Sequence, residues 1–587
     1  MNEISECVKD IITSIFSVSI DAKVTPSPEL NSSFRADYST NIAMQLAGLL
    51  HQNPRKIAET ITTEFLKTAP QKLPELTGIK TEIAGPGFIN FMLPDAYFTA
   101  KLAGLYTDFD KNISCNEYSG KVVVTEFSDP NPFKVLHIGH LYTSICGESI
   151  SKLIEYAGGT VHRVNFGGDV GLHVAKTLYA LEQKNLKDFT IEDIANCYVE
   201  GTRAYEEDES AKAKIVELNK KIYRISAENL HDSKLATDYW HGRELSYAYF
   251  DDFYARLGVQ FEKYYPESSV AEKGLETVKS HPEVYTESAG ALVFKGEPYG
   301  LHTRVFVNRE GLPTYEAKDV GLLFTKNNDY HFDESVVITG NDIIDYMKVV
   351  LKSIEQYAPD LVAKTLHITH GNVRLPGNQK MSSRKGNFIK AVDILNEVEQ
   401  KAGTKLIADA AIKYSLLKYK IGGNIEFNIE FNIDESISLT GNSGPYLQYS
   451  AVRAKKILNS VGWRGECSFV RGSGANGRGL AREPRNDGSE RRAPDKESFA
   501  VIASQERNLL KSFLNYQPAL HQAVREKAPH LIANYLFDLA QTFSRFYETC
   551  RVKDDAHEAE RAAEVAVFLQ IMTHGLNLLG INIPEEM

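Results

Sequence analysis

The sequence predicts an α/β protein: a sheet interrupted by a long insertion, with a compact unit before it and a helical unit after it. Three observations lead there. Residues 121–127 (KVVVTEF) form a β-branched, apolar run, followed by a turn and then helical spacing over 139–156. Similar runs recur at 160–166 and, much later, at 335–339 and 365–369, as though one sheet resumes after a detour. From about 440 onward the apolar spacing is helical, as in 531–547 and 563–579.

In chain order, residues 1–110 read as one unit. Helical spacing over 41–50 stops at Asn53-Pro54, and Pro54 opens the next helix. Residues 83–93 (IAGPGFINFML) read as a turn followed by a strand. The charged, helix-rich stretch near 200–310 reads as an insertion between two halves of the sheet. Residues 471–494 are rich in Gly and Arg and hold almost no large apolar side chain, so they read as a flexible surface linker. A basic tether for nucleic acid is the alternative.

Composition excludes several classes. With 43% hydrophobic and 24% charged residues, the chain is neither disordered, collagenous nor a coiled-coil rod. No run of about 18 apolar residues offers a membrane span. The N-terminal segment carries acids where a signal peptide carries bases, so a cytoplasmic protein is expected. Six cysteines without a C-x-x-C pair indicate neither a zinc knuckle nor a disulfide framework, and no metal-ligating cluster is expected. A net charge of −11 argues against general nucleic-acid binding, so any polyanion must meet a local basic surface.

Two segments carry chemistry. In 129–140 (DPNPFKVLHIGH) a strand gives way to a helix start bearing His137, Gly139 and His140. Backbone N–H groups there, with a residue lacking a side chain, admit a phosphate, and imidazoles add donors. A plain surface pair, or half of a metal site, is the alternative for H-x-x-H alone. The second segment, 380–387 (KMSSRKGN), sets Lys380, Arg384 and Lys385 among hydroxyls and a glycine. That composition suits an anion-binding loop, or simply a solvated one.

HIGH followed far downstream by a KMSKS-like loop resembles the class I aminoacyl-tRNA synthetases. The segments 126–140 (EFSDPNPFKVLHIGH), 168–171 (GDVG), 312–319 (LPTYEAKD), His370-Gly371, 444–449 (GPYLQY) and 580–587 (GINIPEEM) resemble the arginyl-tRNA synthetase family. Residues 36–47 (ADYSTNIAMQLA) and 82–91 (EIAGPGFINF) resemble its appended N-terminal domain, so the resemblance spans nearly the whole chain. It implies a Rossmann-type class I synthetase catalytic domain with an insertion, an α+β N-terminal domain that contacts tRNA, and an all-α anticodon-binding C-terminal domain. The expected bounds are 1–110, 118–380 with the insertion at about 200–310, 381–440 for the loop and connecting helices, and 441–587 with a flexible insert at 465–497. The implied reaction joins ATP and L-arginine as arginyl-adenylate, then transfers arginine to the 3′-terminal adenosine of tRNA(Arg). Mg²⁺ accompanies the nucleotide, and a monomer is expected.

The resemblance also assigns residues. Arginine falls to Glu126, Asp129, Asn131, His137, Tyr315 and Asp319. A guanidinium is a charged fork of five donors that carboxylates satisfy, so Asp319 and Tyr315 are expected to hold it. Glu126 and Asn131 are expected at the α-amino end, with Asp129 nearby, where the family often has Ser. The alternative for Tyr315 and Asp319, at i and i+4, is one face of a surface helix. ATP falls to Pro130, Gly139, His140, Gly340, Asn341, Asp342, Lys380, Met381 and Ser382, with Gly139 leaving room for the adenine. A helix N-cap is the alternative for Asp342. The catalytic set is His137, His140, Lys134, Lys380 and Lys385. Ser383 replaces the second lysine of KMSKS, and Lys134, just before HIGH, is expected to compensate. Ile343 stands where the family often has Gln. On the helical unit, Tyr446, Tyr449, Arg453, Arg545, Tyr547 and Arg551 are expected to meet tRNA bases by stacking, with helix packing as the alternative for each. Two rivals remain: the same class with another amino acid, and a non-catalytic tRNA-binding protein on this fold.

Overall fold

Five parallel strands form the centre of the fold: β1 (Val122–Glu126), β2 (Thr160–Gly167), β3 (Lys263–Pro266), β4 (Glu334–Gly340) and β5 (Thr365–His370). The computed structural model describes residues 2–27, 36–186, 188–371, 373–374, 390–421, 429–430, 432–463 and 502–587. The strand order is β5-β4-β1-β2-β3. The chain therefore runs outward from β1 on one side, then returns to β1's other edge with β4 and β5. In a sheet of this kind, ligands bind outside the strand C-termini where the order reverses, here between β1 and β4.

The sequence of the strands follows from burial on both faces. Val123 packs into one core and Val124 into the other, and Val336 and Ile338 oppose Val337 in the same way. A parallel sheet covered on both sides needs apolar side chains at successive positions, which is why these strands are apolar runs without alternation.

The helices that position the site are α1 (Ile138–Tyr156), α2 (Lys234–Leu257), α3 (Glu267–Ser280), α4 (Tyr315–Tyr330) and α5 (Ile344–Glu355). α3 and α4 meet backbone to backbone. A Cβ on Gly274 would lie 1.9 Å from the Ala317 carbonyl oxygen, and one on Gly321 would lie 2.2 Å from that of Val270. These two glycines let α4 approach closely, and so fix where Tyr315 and Asp319 on its first turns project.

The insertion expected at about 200–310 needs correction. β3 lies inside it and is the fifth strand of the central sheet, paired with β2. What stands outside the sheet is helix Glu209–Ala227, α2, and a three-stranded antiparallel sheet of Thr286–Ser288, Ala291–Phe294 and Arg304–Val307. β3 is a four-residue edge strand, KYYP, too short and too mixed to show a period.

Before the sheet, helices Asn2–Phe16, Ile42–Leu50 and Pro54–Lys72 pack with four antiparallel strands between 25 and 92. The Asn53 side chain accepts from the Arg55 N–H at 2.9 Å, capping the helix that Pro54 opens. The expected turn and strand are a hairpin of Lys80–Ala84 and Phe88–Met92. After the sheet come α6 (Gly444–Ser460), α7 (Ser504–Leu514), α8 (Tyr516–Glu526), α9 (Pro529–Thr549) and α10 (Glu558–Leu578). Arg507 of α7 joins this helical unit to the N-terminal one, pairing with Asp37 at 2.6 Å and Asp95 at 2.5 Å. Among the described residues no helix is long and apolar enough to cross a membrane. The expected insert at 465–497 lies outside the described residues.

Candidate active site

The loop from β1 to α1 holds three non-glycine residues at positive φ: Ser128 (+76°), Asp129 (+49°) and Phe133 (+65°). Such conformations are disfavoured by about 1–3 kcal/mol each and persist only where the surroundings enforce them. Here they do. Ser128 Oγ bonds the Tyr254 hydroxyl at 2.8 Å, and Asp129 Oδ1 accepts from the Phe166 N–H at 2.9 Å. The Phe133 N–H donates to Ser246 Oγ at 3.0 Å. Asn131 Oδ1 accepts from the Gly168 N–H at 2.8 Å, tying the loop to the end of β2.

α1 begins with a reciprocal histidine cap. The Gly139 N–H donates to His137 Nδ1 and the His137 N–H donates to His140 Nδ1, each at 3.1 Å. Both Nδ1 atoms act as acceptors, so each ring carries its proton on Nε2. Burial lowers the pKa of both imidazoles, and Lys134 adds to the effect, so the rings are neutral at physiological pH. Each therefore offers an Nε2–H donor at a helix N-terminus, a suitable arrangement for phosphate oxygens. A Cβ on Gly139 would lie 2.8 Å from His137 Cε1. The missing side chain thus makes room for the His137 ring, and Gly139 also lines the cavity.

A cavity of about 900 Å³ opens at the switch point between β1 and β4. It brings together Glu126, Asp129, Asn131, His137, Gly139, His140, Tyr315, Asp319, Gly340 and Asp342, from four separate stretches of chain. The surface-helix alternative for Tyr315 and Asp319 therefore falls. The N-cap alternative for Asp342 falls too: α5 is preceded by Ile343 with no side-chain cap, and Asp342 faces the cavity. Ile343 lines it as well. Pro130 and Asn341 flank the cavity without lining it. Lys134 does not line the cavity but lies close enough to His137 and His140 to lower their pKa, with Nζ 5.1 Å from the centre of the Tyr198 ring. Lys380, Met381, Ser382 and Lys385 lie outside the described residues.

The charges in the cavity do not balance. Glu126 is buried in an ion pair with Lys326, whose ammonium also donates to Ser335 Oγ at 3.2 Å. Glu267 pairs with Lys318 at 2.5 Å, and Lys318 also donates to the Tyr223 hydroxyl at 2.8 Å. Asp129 and Asp319 are in no ion pair among the described residues. Asp129 accepts only from Phe166, and Asp319 accepts from the Tyr346 hydroxyl. Burial pushes Asp129 well above the usual carboxylate range, and it pushes Asp319 up to about 8. Asp342, which also lines the cavity, is likewise in no ion pair among the described residues, so three carboxyls lack a cation, while Glu126, expected to be free for a substrate, already has one.

Residues 108–416 match the family described as tRNA synthetases class I (R), catalytic domain. The chain belongs to the arginyl-tRNA synthetase family. Residues 2–93 match the arginyl-tRNA synthetase N-terminal domain and 479–587 the DALR anticodon-binding domain. Arginine–tRNA ligases of Fusobacterium nucleatum and Clostridium perfringens are 28% and 25% identical to the chain. The alignments cover 94% and 96% of this chain, and 93% and 95% of those relatives. The Thermus thermophilus arginyl-tRNA synthetase structure shares the fold, with a TM-score of 0.75 at 21% identity and 100% of both chains covered.

Within this family frame, several residues at the site carried no sequence signal. Tyr346, Glu267 and Lys318 enter only through packing. Lys326 had one that could be read: with Tyr315 and Asp319 it lies at i, i+4 and i+11, on one helical face. Asp169 of the GDVG segment is fully buried and structural. It accepts from the Ser268 N–H at 2.9 Å and from Arg243 at 3.0 Å, holding α3 and α2 to the end of β2.

Lys326→Met would leave Glu126, 3% exposed, without its partner. Breaking a buried pair from one side lowers stability by about 3–5 kcal/mol. The urea midpoint should fall accordingly, and the double variant Glu126→Gln/Lys326→Met should recover most of the loss. A single variant as stable as the parent would contradict the pairing.

The residues expected to meet tRNA divide. Arg453 stacks on the exposed Tyr547 ring at 3.9 Å, with Tyr449 exposed one turn earlier on α6, and Arg545 is exposed on α9. Tyr446 instead packs against Phe537 and bonds Ser544 at 3.3 Å. Arg551 is held by the Lys553 carbonyl at 2.9 Å. For Tyr446 local packing accounts for the side chain, whereas the Arg551 side chain remains 71% exposed.

Proposed function

We propose that the chain activates L-arginine with ATP as arginyl-adenylate and transfers the arginyl group to the 3′-terminal adenosine of tRNA(Arg), in the cytoplasm and as a monomer. The observation that carries the reading is the charge count. Arginine brings two cations, a guanidinium and an α-ammonium, and of the three cavity carboxyls that lack one, Asp129 and Asp319 are placed for them, with Asp342 left to the nucleotide. Asp319, with the Tyr346 hydroxyl setting its orientation, takes the guanidinium beside Tyr315. Asp129 takes the α-ammonium, with Asn131 beside it. Glu126 acts through Lys326, fixing the floor of the pocket. An amino acid with an uncharged or acidic side chain would still offer its α-ammonium to Asp129 but would leave Asp319 unmatched.

The nucleotide lies along the other wall. The Nε2–H groups of His137 and His140 and the N-terminal end of α1 meet its phosphates. Asp342, at the end of β4, accepts from the ribose hydroxyls. The described residues on the phosphate side present nitrogen donors, so Mg²⁺ would be held by phosphate oxygens and water, with no protein cage. The ion would neutralise phosphate charge. The arginine carboxylate attacks the α-phosphorus in line and pyrophosphate leaves, so the protein's part is to position the reactants and stabilise the leaving charge. Tyr449, Arg453, Arg545 and Tyr547 offer stacking surfaces to unpaired bases.

The test is charging of an unfractionated tRNA pool by the purified chain, with ATP, Mg²⁺ and labelled arginine, lysine or glutamine in parallel. Product with arginine alone, dependent on ATP, is expected. Product with another amino acid would overturn the specificity. No product from a folded sample would favour a non-catalytic tRNA-binding protein.

A further inference from the structure

We propose that Cys115, Glu117 and His521 form a binding site for a single Zn²⁺ ion that clamps the segment before β1 to helix α8. One donor atom from each of these residues lies within 4.8 Å of the other two. In a tetrahedral zinc site with bonds of about 2.0–2.3 Å, ligand atoms stand roughly 3.3–3.8 Å apart. The His521 Nδ1 and Glu117 Oε1 atoms are already 3.7 Å apart.

The imidazole is oriented as a ligand. His521 Nε2 lies 3.0 Å from the Ser114 carbonyl oxygen. A carbonyl only accepts, so Nε2 carries the proton and Nδ1 turns its lone pair toward the Glu117 carboxylate. A ligating histidine is characteristically fixed by such a bond from its second nitrogen. Two acceptors facing each other require a cation between them, either a metal or a second ring proton. Arg525, 3.3 Å from the same carboxylate oxygen, meets part of that need from outside the cluster.

The third group favours a metal over a proton. Cys115 is 3% exposed and its sulfur converges on the same point. Burial raises its thiol pKa, and the Glu117 N–H opposes that by favouring the thiolate. A bound cation would complete the deprotonation. A nitrogen, a sulfur and a single carboxylate suit Zn²⁺, whereas Mg²⁺ and Ca²⁺ require oxygen ligands. Glu117 and His521 are each 29% exposed, which leaves an entry path and room for a water as fourth ligand.

The ion would have a structural role, because the cluster lies away from the nucleotide cavity. Ser114 and His521 are 407 residues apart in sequence. Two ligands come from the connection into the central sheet and the third from the C-terminal helices. A metal there would add its binding free energy to the docking of the two parts. No spacing pattern could have shown this, since the ligands share no local motif.

The experiment uses the full chain, stripped with chelator and titrated with Co²⁺ as a visible probe. One equivalent should give a thiolate-to-cobalt charge-transfer band with tetrahedral visible bands, and Zn²⁺ should displace it. The band should vanish in Cys115→Ser, and affinity should fall tenfold or more in His521→Ala. Zn²⁺ should raise the Tm of the parent and leave that of His521→Ala unchanged. Absence of the band, or an unchanged band in either variant, would overturn the site and leave a His521–Glu117 ion pair. If Cys115→Ser fails to fold, the half-exposed His521→Ala decides alone.

Discussion

Asp319→Asn should weaken arginine binding on the order of 10²–10³-fold while leaving ATP affinity near that of the parent. Truncating one partner of a hydrogen-bonded charge pair in a recessed site typically costs about 2–5 kcal/mol. Asp319 stands in the cavity with no cation of its own, and asparagine keeps the shape while removing the charge. The pH dependence identifies the group. Burial pushes the Asp319 carboxyl up to about 8; the Tyr346 hydroxyl pulls it back, and Glu126 and Glu267 push it further. In the empty site it is therefore neutral below about 8 and ionised above. Arginine pairs with the ionised form, so binding releases a proton. Affinity should fall as pH drops below 8, by up to about tenfold per unit. The same shift makes the empty chain lose stability as pH rises from about 4 to about 8, since the folded state holds a proton that the unfolded chain has released. Isothermal titration with arginine at several pH values in this range gives the first slope, and urea midpoints of the empty chain give the second. Asp319→Asn should show a shallower slope, with the remainder coming from Asp129, whose carboxyl is also pushed up by burial. A slope equal to the parent's would mean that another group carries the titration.

Lys134→Ala should slow arginyl-adenylate formation about 10²–10³-fold, the usual effect of removing one preorganised transition-state donor. Two observations converge on it. His137 and His140 are held neutral by burial, so they supply donors without a full charge. Lys134 is close enough to lower the pKa of both cap histidines, which places its charge beside the phosphate cradle. With the family resemblance, that position makes it the cation expected to meet the departing pyrophosphate. Arginine-dependent ATP–pyrophosphate exchange measures the step, run with tRNA present. The loss should appear in kcat, with arginine affinity unchanged, and Lys134→Arg should restore part of the rate. Unchanged exchange in Lys134→Ala would remove the residue from the mechanism.

Much of this was legible in the chain because it is local. Residues 121–127 fall on β1, and the helix spacing from 139 falls on α1. HIGH sits at the strand-to-helix junction, where backbone N–H groups and imidazoles combine within four consecutive residues. Asp319 and Tyr315 could be assigned because they share one short segment. β3 was missed because four mixed residues at a sheet edge carry no period. Tyr446 and Tyr449 looked equivalent in sequence, yet one packs against Phe537 and the other is exposed.

The sequence by itself determined four of the five central strands, the helix that follows the first, the order of the motifs and the family. Each depends on neighbours along the chain, where dihedral preference and apolar spacing act. Only the tertiary structure decided which carboxyls are available. Glu126 and Lys326 are 200 residues apart, and Glu267 and Lys318 are 51 apart. Their pairing, and the imbalance it leaves at Asp129 and Asp319, follows from which charges packing withdraws from water together. Desolvation belongs to the assembled cavity rather than to any segment of chain.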